Sequence, residues 1–283
     1  MSDSAPLNQI DYLMIGHITS DLQPDGSNKL GGTVSFSGLT AQRLGHEVGV
    51  VTSHAGDLDL SALSRLSLVN KRSDTTTTFR NIPAPDGRVQ YCFQRARPLT
   101  IEDVPAQWRN PAIVHLGPVI SEIESDLFTG FPDSLLCLTP QGFLRGCDQK
   151  SLVNFRDWSE KADLLPKADA VVLSLEDLRN DEALVEEFAS LCKLLVITEN
   201  RNGSRVYWNQ EMRRFPAPSR NLVEDTGAGD IFAACFFHRL DATRDPWEAA
   251  RFAVELSANS VTRYYLDSIP TGAEIEHARL QVN

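Results

Sequence analysis

The 283-residue sequence has no G-x-x-x-x-G-K-[ST] stretch, so it is not a P-loop enzyme. It also lacks H-E-x-x-H and G-x-S-x-G, the signatures of a zinc-protease helix and of a serine nucleophile elbow. No G-x-G-x-x-G is present: after Gly227 and Gly229 the third glycine position is Phe232, which argues against a dinucleotide-binding oxidoreductase. No apolar run approaches the roughly 20 residues of a membrane span. Positive charge is in short supply, with 27 Lys and Arg against 38 Asp and Glu and a formal net charge of -11. That balance argues against a nucleic-acid or anionic-membrane surface. It does not oppose a local phosphate pocket, which backbone N–H groups can build alone. The five cysteines (Cys92, Cys137, Cys147, Cys192, Cys235) are odd in number and widely spaced, as suits reduced thiols and not a disulfide framework or zinc ribbon. The six histidines never pair at ligand spacing, and His115, inside Ile113-Val114-His115-Leu116, is expected to be a satisfied core residue. The opening Met1-Ser2-Asp3-Ser4-Ala5-Pro6 lacks a basic and an apolar region, so a cytoplasmic protein is expected.

What remains is an ordinary globular composition, 42% hydrophobic and 23% charged, enough for one large α/β domain over residues 1–283. Residues 12–18 read as a buried strand ending in a polar loop that carries Asp21. Gly31-Gly32 follows, then a helix from Val34 to Leu44 closed by Gly45, then a strand at 48–51. This β-loop-α-β opening predicts a parallel unit. Residues 73–97 read as a β-hairpin turning at 83–87, with Val89, Tyr91 and Phe93 on an apolar face and Arg88, Gln90 and Gln94 on a polar one. It is either a lid or dimerisation sheet, or an edge hairpin packed on the main body. Further strands are expected at 113–116, 135–138, 170–173 and 194–197, and a second hairpin around Asn209-Gln210. Two helices follow, one from Asp230 and one from Pro246 to about Tyr265. A parallel sheet of this kind binds ligands at the carboxyl ends of its strands.

The densest motif is Glu224-Asp225-Thr226-Gly227-Ala228-Gly229-Asp230, followed by the apolar run 231–237. Two glycines allow a turn that a Cβ would obstruct, and the start of a buried helix is an anion site. A carboxylate beside an anion hole is what phosphoryl transfer to a hydroxyl requires. Asp230 could equally be a helix N-cap alone.

In their order along the chain these motifs resemble the ribokinase-like (PfkB) carbohydrate kinases. The resemblance runs from the strand near Asp21 through Gly31-Gly32, the hairpin, Ser174-Leu175-Glu176-Asp177, and Val196-Ile197-Thr198 with Gly203, to the Gly-Ala-Gly-Asp helix start. It implies a three-layer α/β/α sandwich with a mostly parallel sheet and a small β lid. By that resemblance Asp230 is the base, and the N–H groups at Gly227, Ala228, Gly229 and Asp230 form the anion hole. Asp21, Gly31, Gly32, Phe36, Gln90 and Arg145 are placed on the acceptor side. Ser174, Thr198, Asn200, Gly203, Thr226 and Asn259 fall to the nucleotide, and Asp177 to the metal. ATP and Mg²⁺ are implied and a small sugar or polyol is the acceptor; a monovalent-cation site stays open. Apart from the resemblance, the apolar face of the hairpin (Val89, Tyr91, Phe93), if uncovered in a monomer, predicts a homodimer through the lid. Three departures stand out. Glu224 replaces the usual Asp, Ser174-x-x-Asp177 replaces Asn-x-x-Glu, and Phe36 stands where an Asn reads a sugar hydroxyl. Gly31-Gly32-x-x-Ser35-Phe36, 140–145 and the short lid look similar to the inositol-kinase branch. A nucleoside or hydroxymethyl-pyrimidine acceptor, with Phe36 stacked on its ring, and a non-catalytic nucleotide binder are the alternatives.

Overall fold

The computed structural model describes residues 7–84 and 87–281. The opening 1–6 and the hairpin-turn residues Pro85 and Asp86 lie outside the described residues. The chain runs β1 (Tyr12–Ile15), β2 (Thr19–Leu22), β3 (Asn28–Gly31), α1 (Thr33–Arg43), β4 (Val48–Thr52), β5 (Ser67–Asn70), β6 (Thr78–Ala84), β7 (Gly87–Gln94), β8 (Ile113–Leu116), β9 (Leu135–Leu138), β10 (Arg145–Cys147) and β11 (Val153–Phe155). It continues α2 (Lys161–Leu164), β12 (Ala170–Ser174), α3 (Glu182–Leu191), β13 (Leu194–Thr198), β14 (Ser204–Trp208), β15 (Glu211–Phe215), α4 (Ala228–Thr243), α5 (Pro246–Ser260) and α6 (Gly272–Gln281).

Nine strands form one sheet in the order β15-β14-β13-β12-β9-β8-β1-β4-β5. Every neighbouring pair from β12–β13 to β4–β5 is parallel, and β14 alone runs against its neighbours. Both faces are covered, which is why the central strands read as unbroken apolar runs. On one face Tyr12, Met14, Val48 and Val50 pack with residues of α1, α4 and α5; on the other Leu13, Ile15, Val51 and Leu116 pack with Val185 and Phe188 of α3. The result is the expected three-layer α/β/α sandwich.

Local signals set the ends of the elements. Gly45, at φ 105, closes α1: its N–H reaches the Gln42 carbonyl and that of His46 reaches Ala41, the bonding of a Schellman cap. Asn209 and Gln210, at φ 50 and 66, make the tight turn between β14 and β15. The Asp245 carboxylate caps α5 through the Trp247 and Glu248 N–H groups. The second long helix stops at Ser260 and not near Tyr265; the chain then turns, with Tyr265 at φ 51.

A second, four-stranded sheet, β3-β2-β6-β7, stands beside the main one. The expected hairpin is there as β6 and β7, but it is joined by β2 and β3, and Asp21 lies on β2 and not in a loop. The expected division into an apolar and a polar face holds only in part: Val89, Gln90 and Tyr91 are all half-buried. Phe79 and Cys92 are buried, while Phe93 is 47% and Ile82 39% exposed. Tyr91 and Phe93 stack on each other at 6.0 Å on the outside. Gln94 of the expected polar face is also exposed, and the buried Phe79 and Cys92 pack with Val119 and Ile120.

His115 is fully buried, with the Tyr12 and Thr139 hydroxyls at its two ring nitrogens, 3.1 Å each. Histidines far apart in sequence do meet: His46 Nε2 lies 2.9 Å from His238 Nδ1, and His46 Nδ1 lies 3.1 Å from Asp11. Burial pushes His115 down to about 3, and burial followed by the His46 charge pushes His238 down to about 4. Both stay neutral in the fold but charge in the unfolded chain below about pH 6.5. The unfolded chain then binds more protons, so stability falls as pH drops below that value, by about 1.4 kcal/mol per pH unit for each histidine. Urea midpoints taken between pH 7.5 and 5.5 should decline on the acid side, and less so in His238→Asn; a flat profile would contradict these buried neutral rings.

Candidate active site

The start of α4 is built on backbone. Gly227 occupies the N-cap at φ 79 with no side-chain cap, and a Cβ there would come 2.2 Å from Cδ1 of Phe36. A left-handed N-cap without room for a side chain calls for glycine. Asp230 is therefore not the N-cap: it sits in the first helical turn, half-buried, and its carbonyl accepts the Ser37 hydroxyl of α1 at 2.9 Å. A carboxylate there is favoured by the helix dipole. The Ala228 N–H donates to the Asp225 carbonyl at 3.1 Å, which removes it from the expected anion hole. Gly229 is exposed, and a Cβ there would meet nothing within 4 Å, so this part of the turn opens outward. Thr226 lies half-buried just before the turn.

Apart from Arg145, the residues expected on the acceptor side lie on α1 and the small sheet and at the junction between them. The Asp21 carboxylate receives the Thr19 hydroxyl at 3.0 Å, and a Cβ on Gly31 would fall 2.7 Å from that carboxylate. Gly32, at φ 92, would place a Cβ 2.3 Å from the His17 carbonyl. The His17 backbone is itself fixed by the buried Glu122, whose carboxylate takes the N–H groups of His17, Val119 and Ile120 at 2.8–3.1 Å. Glu122 was not anticipated, because a lone Glu in a loop carries no sequence signal. Gln90 lies on the face of the small sheet that Asp21 shares, with its amide on Asn81 at 2.9 Å.

Phe36 is 3% exposed, wedged under Gly227 and edge-on to Tyr265 at 5.5 Å. It supports the site from beneath and offers no open face, so the expectation that it contacts or stacks on the acceptor is corrected. Arg145 stands further round. It donates to the Gln141 side chain at 2.7 Å, Gln141 donates to the Thr33 hydroxyl at 2.8 Å, and the guanidinium lies 3.6 Å from Asp177. This chain of contacts ties the start of α1 to the end of β12.

At the carboxyl ends of β12 and β13 a cleft of about 170 Å³ is lined by Ser174, Glu176, Asn180, Thr198, Asn200 and Asn202. Asn200, at φ 50, donates to Glu176 at 2.7 Å, and the Ser174 hydroxyl takes the Glu176 N–H. Gly203 answers a backbone constraint: at φ 93 its Cβ would collide with the Phe215 carbonyl at 1.9 Å. The Asn259 side chain is engaged away from the cleft by Arg220 at 2.7 Å and Glu255 at 3.4 Å. Glu224 binds the Tyr265 N–H at 3.0 Å.

The residues do not form a resident metal cage. Asp177 already takes the Ser174 N–H at 3.1 Å and faces Arg145. Among the described residues no group of three His, Cys, Asp or Glu side chains is gathered for a metal ion.

Residues 151–271 match the model of the pfkB family carbohydrate kinases. A cytidine kinase of Thermococcus kodakarensis is 23% identical over 264 residues, 87% of this chain and 94% of that protein. Among solved structures, a pyrophosphate-dependent kinase in the ribokinase family, complexed with a pyrophosphate analog and myo-inositol, superposes with a TM-score of 0.77. It is 22% identical and covers 94% of this chain and 99% of its own. A Xylella fastidiosa fructokinase with bound ATP gives 0.73 at 18% identity, covering 96% and 98%. The chain therefore shares the fold of ribokinase-family kinases, and its residues 151–271 are similar to the pfkB family carbohydrate kinases.

Proposed function

We propose that this chain transfers the γ-phosphoryl group of ATP, taken up as MgATP, to a hydroxyl of a small sugar or polyol, with Asp230 as the base. The observation that carries the reading is the junction of α1 and α4. The Ser37 hydroxyl donates to the Asp230 backbone carbonyl at 2.9 Å and so holds the first turn of α4, which carries the Asp230 carboxylate, against α1. Asp230 orients the acceptor hydroxyl and takes its proton late, after the bond to the leaving phosphate has loosened. The Gly229 amide and the α4 dipole face the charge gathering on the transferred group. Arg145, held by Gln141, supplies a guanidinium on the acceptor side. A magnesium ion here would arrive with the donor's phosphates, since Mg²⁺ keeps most of its waters and accepts one or two carboxylates. The small sheet serves as a lid that keeps water from the phosphoryl group.

The likeness to a cytidine kinase favours a second reading, in which the hydroxyl belongs to a nucleoside. It does not rest on stacking against Phe36, which is buried. The outward apolar face of the lid, with Phe93, Ile82 and the Tyr91 ring, supports a homodimer through the lid.

ADP release with MgATP against sugars, inositols and nucleosides tests both readings. Acceptor-dependent turnover should fall by on the order of 10²–10⁴ in Asp230→Asn with the fold intact; near-normal turnover in that variant would remove Asp230 from the chemistry. Light scattering should find a dimer that Phe93→Glu dissociates, whereas a monomeric parent protein would rule out the lid interface.

A further inference from the structure

One polar atom on the acceptor side has no place in the reading above. Tyr265 lies in the turn after α5 with φ 51, a left-handed conformation that is an outlier for a bulky residue. It is held from three sides: its N–H by Glu224 at 3.0 Å, its ring edge-on against Phe36 at 5.5 Å, and Lys29 Nζ of β3 at 5.0 Å over its ring. Its hydroxyl is buried and has no hydrogen-bond partner among the described residues. Burial first, then the Asp21 and Glu224 carboxylates, raise its pKa far above the usual phenol value, so it keeps its proton.

Backbone strain and an unsatisfied buried hydroxyl each cost stability. Their coincidence at one residue, beside the acceptor carboxylate, is the kind of expense that functional sites carry. Asp21 can only accept a hydrogen bond, whereas the phenol has one to donate. Together they form a complementary pair for two hydroxyl groups of one molecule. The cross-strand partner of Asp21 is Lys29, the residue that stands over the Tyr265 ring, so the lid strand brings the two readers together.

We propose that Tyr265 is a specificity residue of the acceptor site, its hydroxyl donating to an acceptor hydroxyl next to the one that Asp21 holds. The proposal rests on the kinase reading for the identity of the ligand as an acceptor. It makes the preferred acceptor a polyhydroxylated ring with two neighbouring hydroxyls, and it gives the Glu224 departure a purpose, since Glu224 anchors the Tyr265 backbone.

Tyr265→Phe keeps the ring and removes only the oxygen. Calorimetric titration without nucleotide, using myo-inositol, D-ribose, D-fructose and cytidine as probes, should show binding to the parent protein weakened about 10–100-fold in the variant. Thermal stability should be equal or slightly higher. A deoxy form of the bound probe lacking the neighbouring hydroxyl should bind parent and variant alike, a result that a purely structural Tyr265 would not produce. Affinities within twofold for every probe, or no binding of any probe to the parent protein, would overturn the proposal. Binding that depends on the Tyr265 hydroxyl, with no ADP release on that probe, would leave Tyr265 in place and sink the kinase reading instead.

Discussion

The site depends on one steric constraint: two helix starts meet where the backbone has no room for side chains. Gly32 abuts the His17 carbonyl and Gly227 abuts the Phe36 ring. The Gly227–Phe36 contact lets α1 and α4 approach closely enough for Ser37 to bond the Asp230 carbonyl. α1 and the start of α4 are thereby fixed to each other and not merely to the sheet. The Phe36 ring fills the space under Gly227 and meets Tyr265 edge-on, packing that stiffens the junction.

Much of this was legible in the sequence. β8 and β9 match the expected bounds, and β4, β12 and β13 extend them by a single residue. Strands covered on both faces are short apolar runs between turn residues, and such runs are hard to mistake. The Asn209-Gln210 turn was likewise readable. The small sheet was harder. β2 and β3 are Thr-Ser-Asp-Leu and Asn-Lys-Leu-Gly, with no alternation to mark a strand, because their pairing partners and the site they cover are both polar. The hairpin alternation was seen, but Phe93 was expected inward and stands exposed, since an apolar side chain is buried only where something covers it. The helix α3 was overlooked although Asp181 caps it and Val185 and Phe188 recur at helical spacing.

In the candidate site the backbone-driven features were the readable ones: the Gly227 turn, the Gly31-Gly32 helix start and the first-turn carboxylate. Side-chain partnerships were not, because they join residues far apart in sequence. The links from Thr33 through Gln141 and Arg145 to Asp177 span more than a hundred residues, as does that of Glu122 to His17. Asp177 faces the Arg145 guanidinium at 3.6 Å and the Asn259 side chain accepts from Arg220 at 2.7 Å, partnerships that no local motif announces. The Tyr265 hydroxyl shows its significance only through what it lacks.

The most direct test of the junction is the turnover of Gly227→Ala on the acceptor that the parent protein phosphorylates, measured on protein whose circular dichroism is unchanged. The added methyl must displace Phe36 or the turn, so the rate should fall at least about 100-fold, as misplacement by an ångström does, while acceptor binding persists. A rate within threefold of the parent protein would show that the two helix starts need not be locked together, and would contradict the constraint on which the site is built.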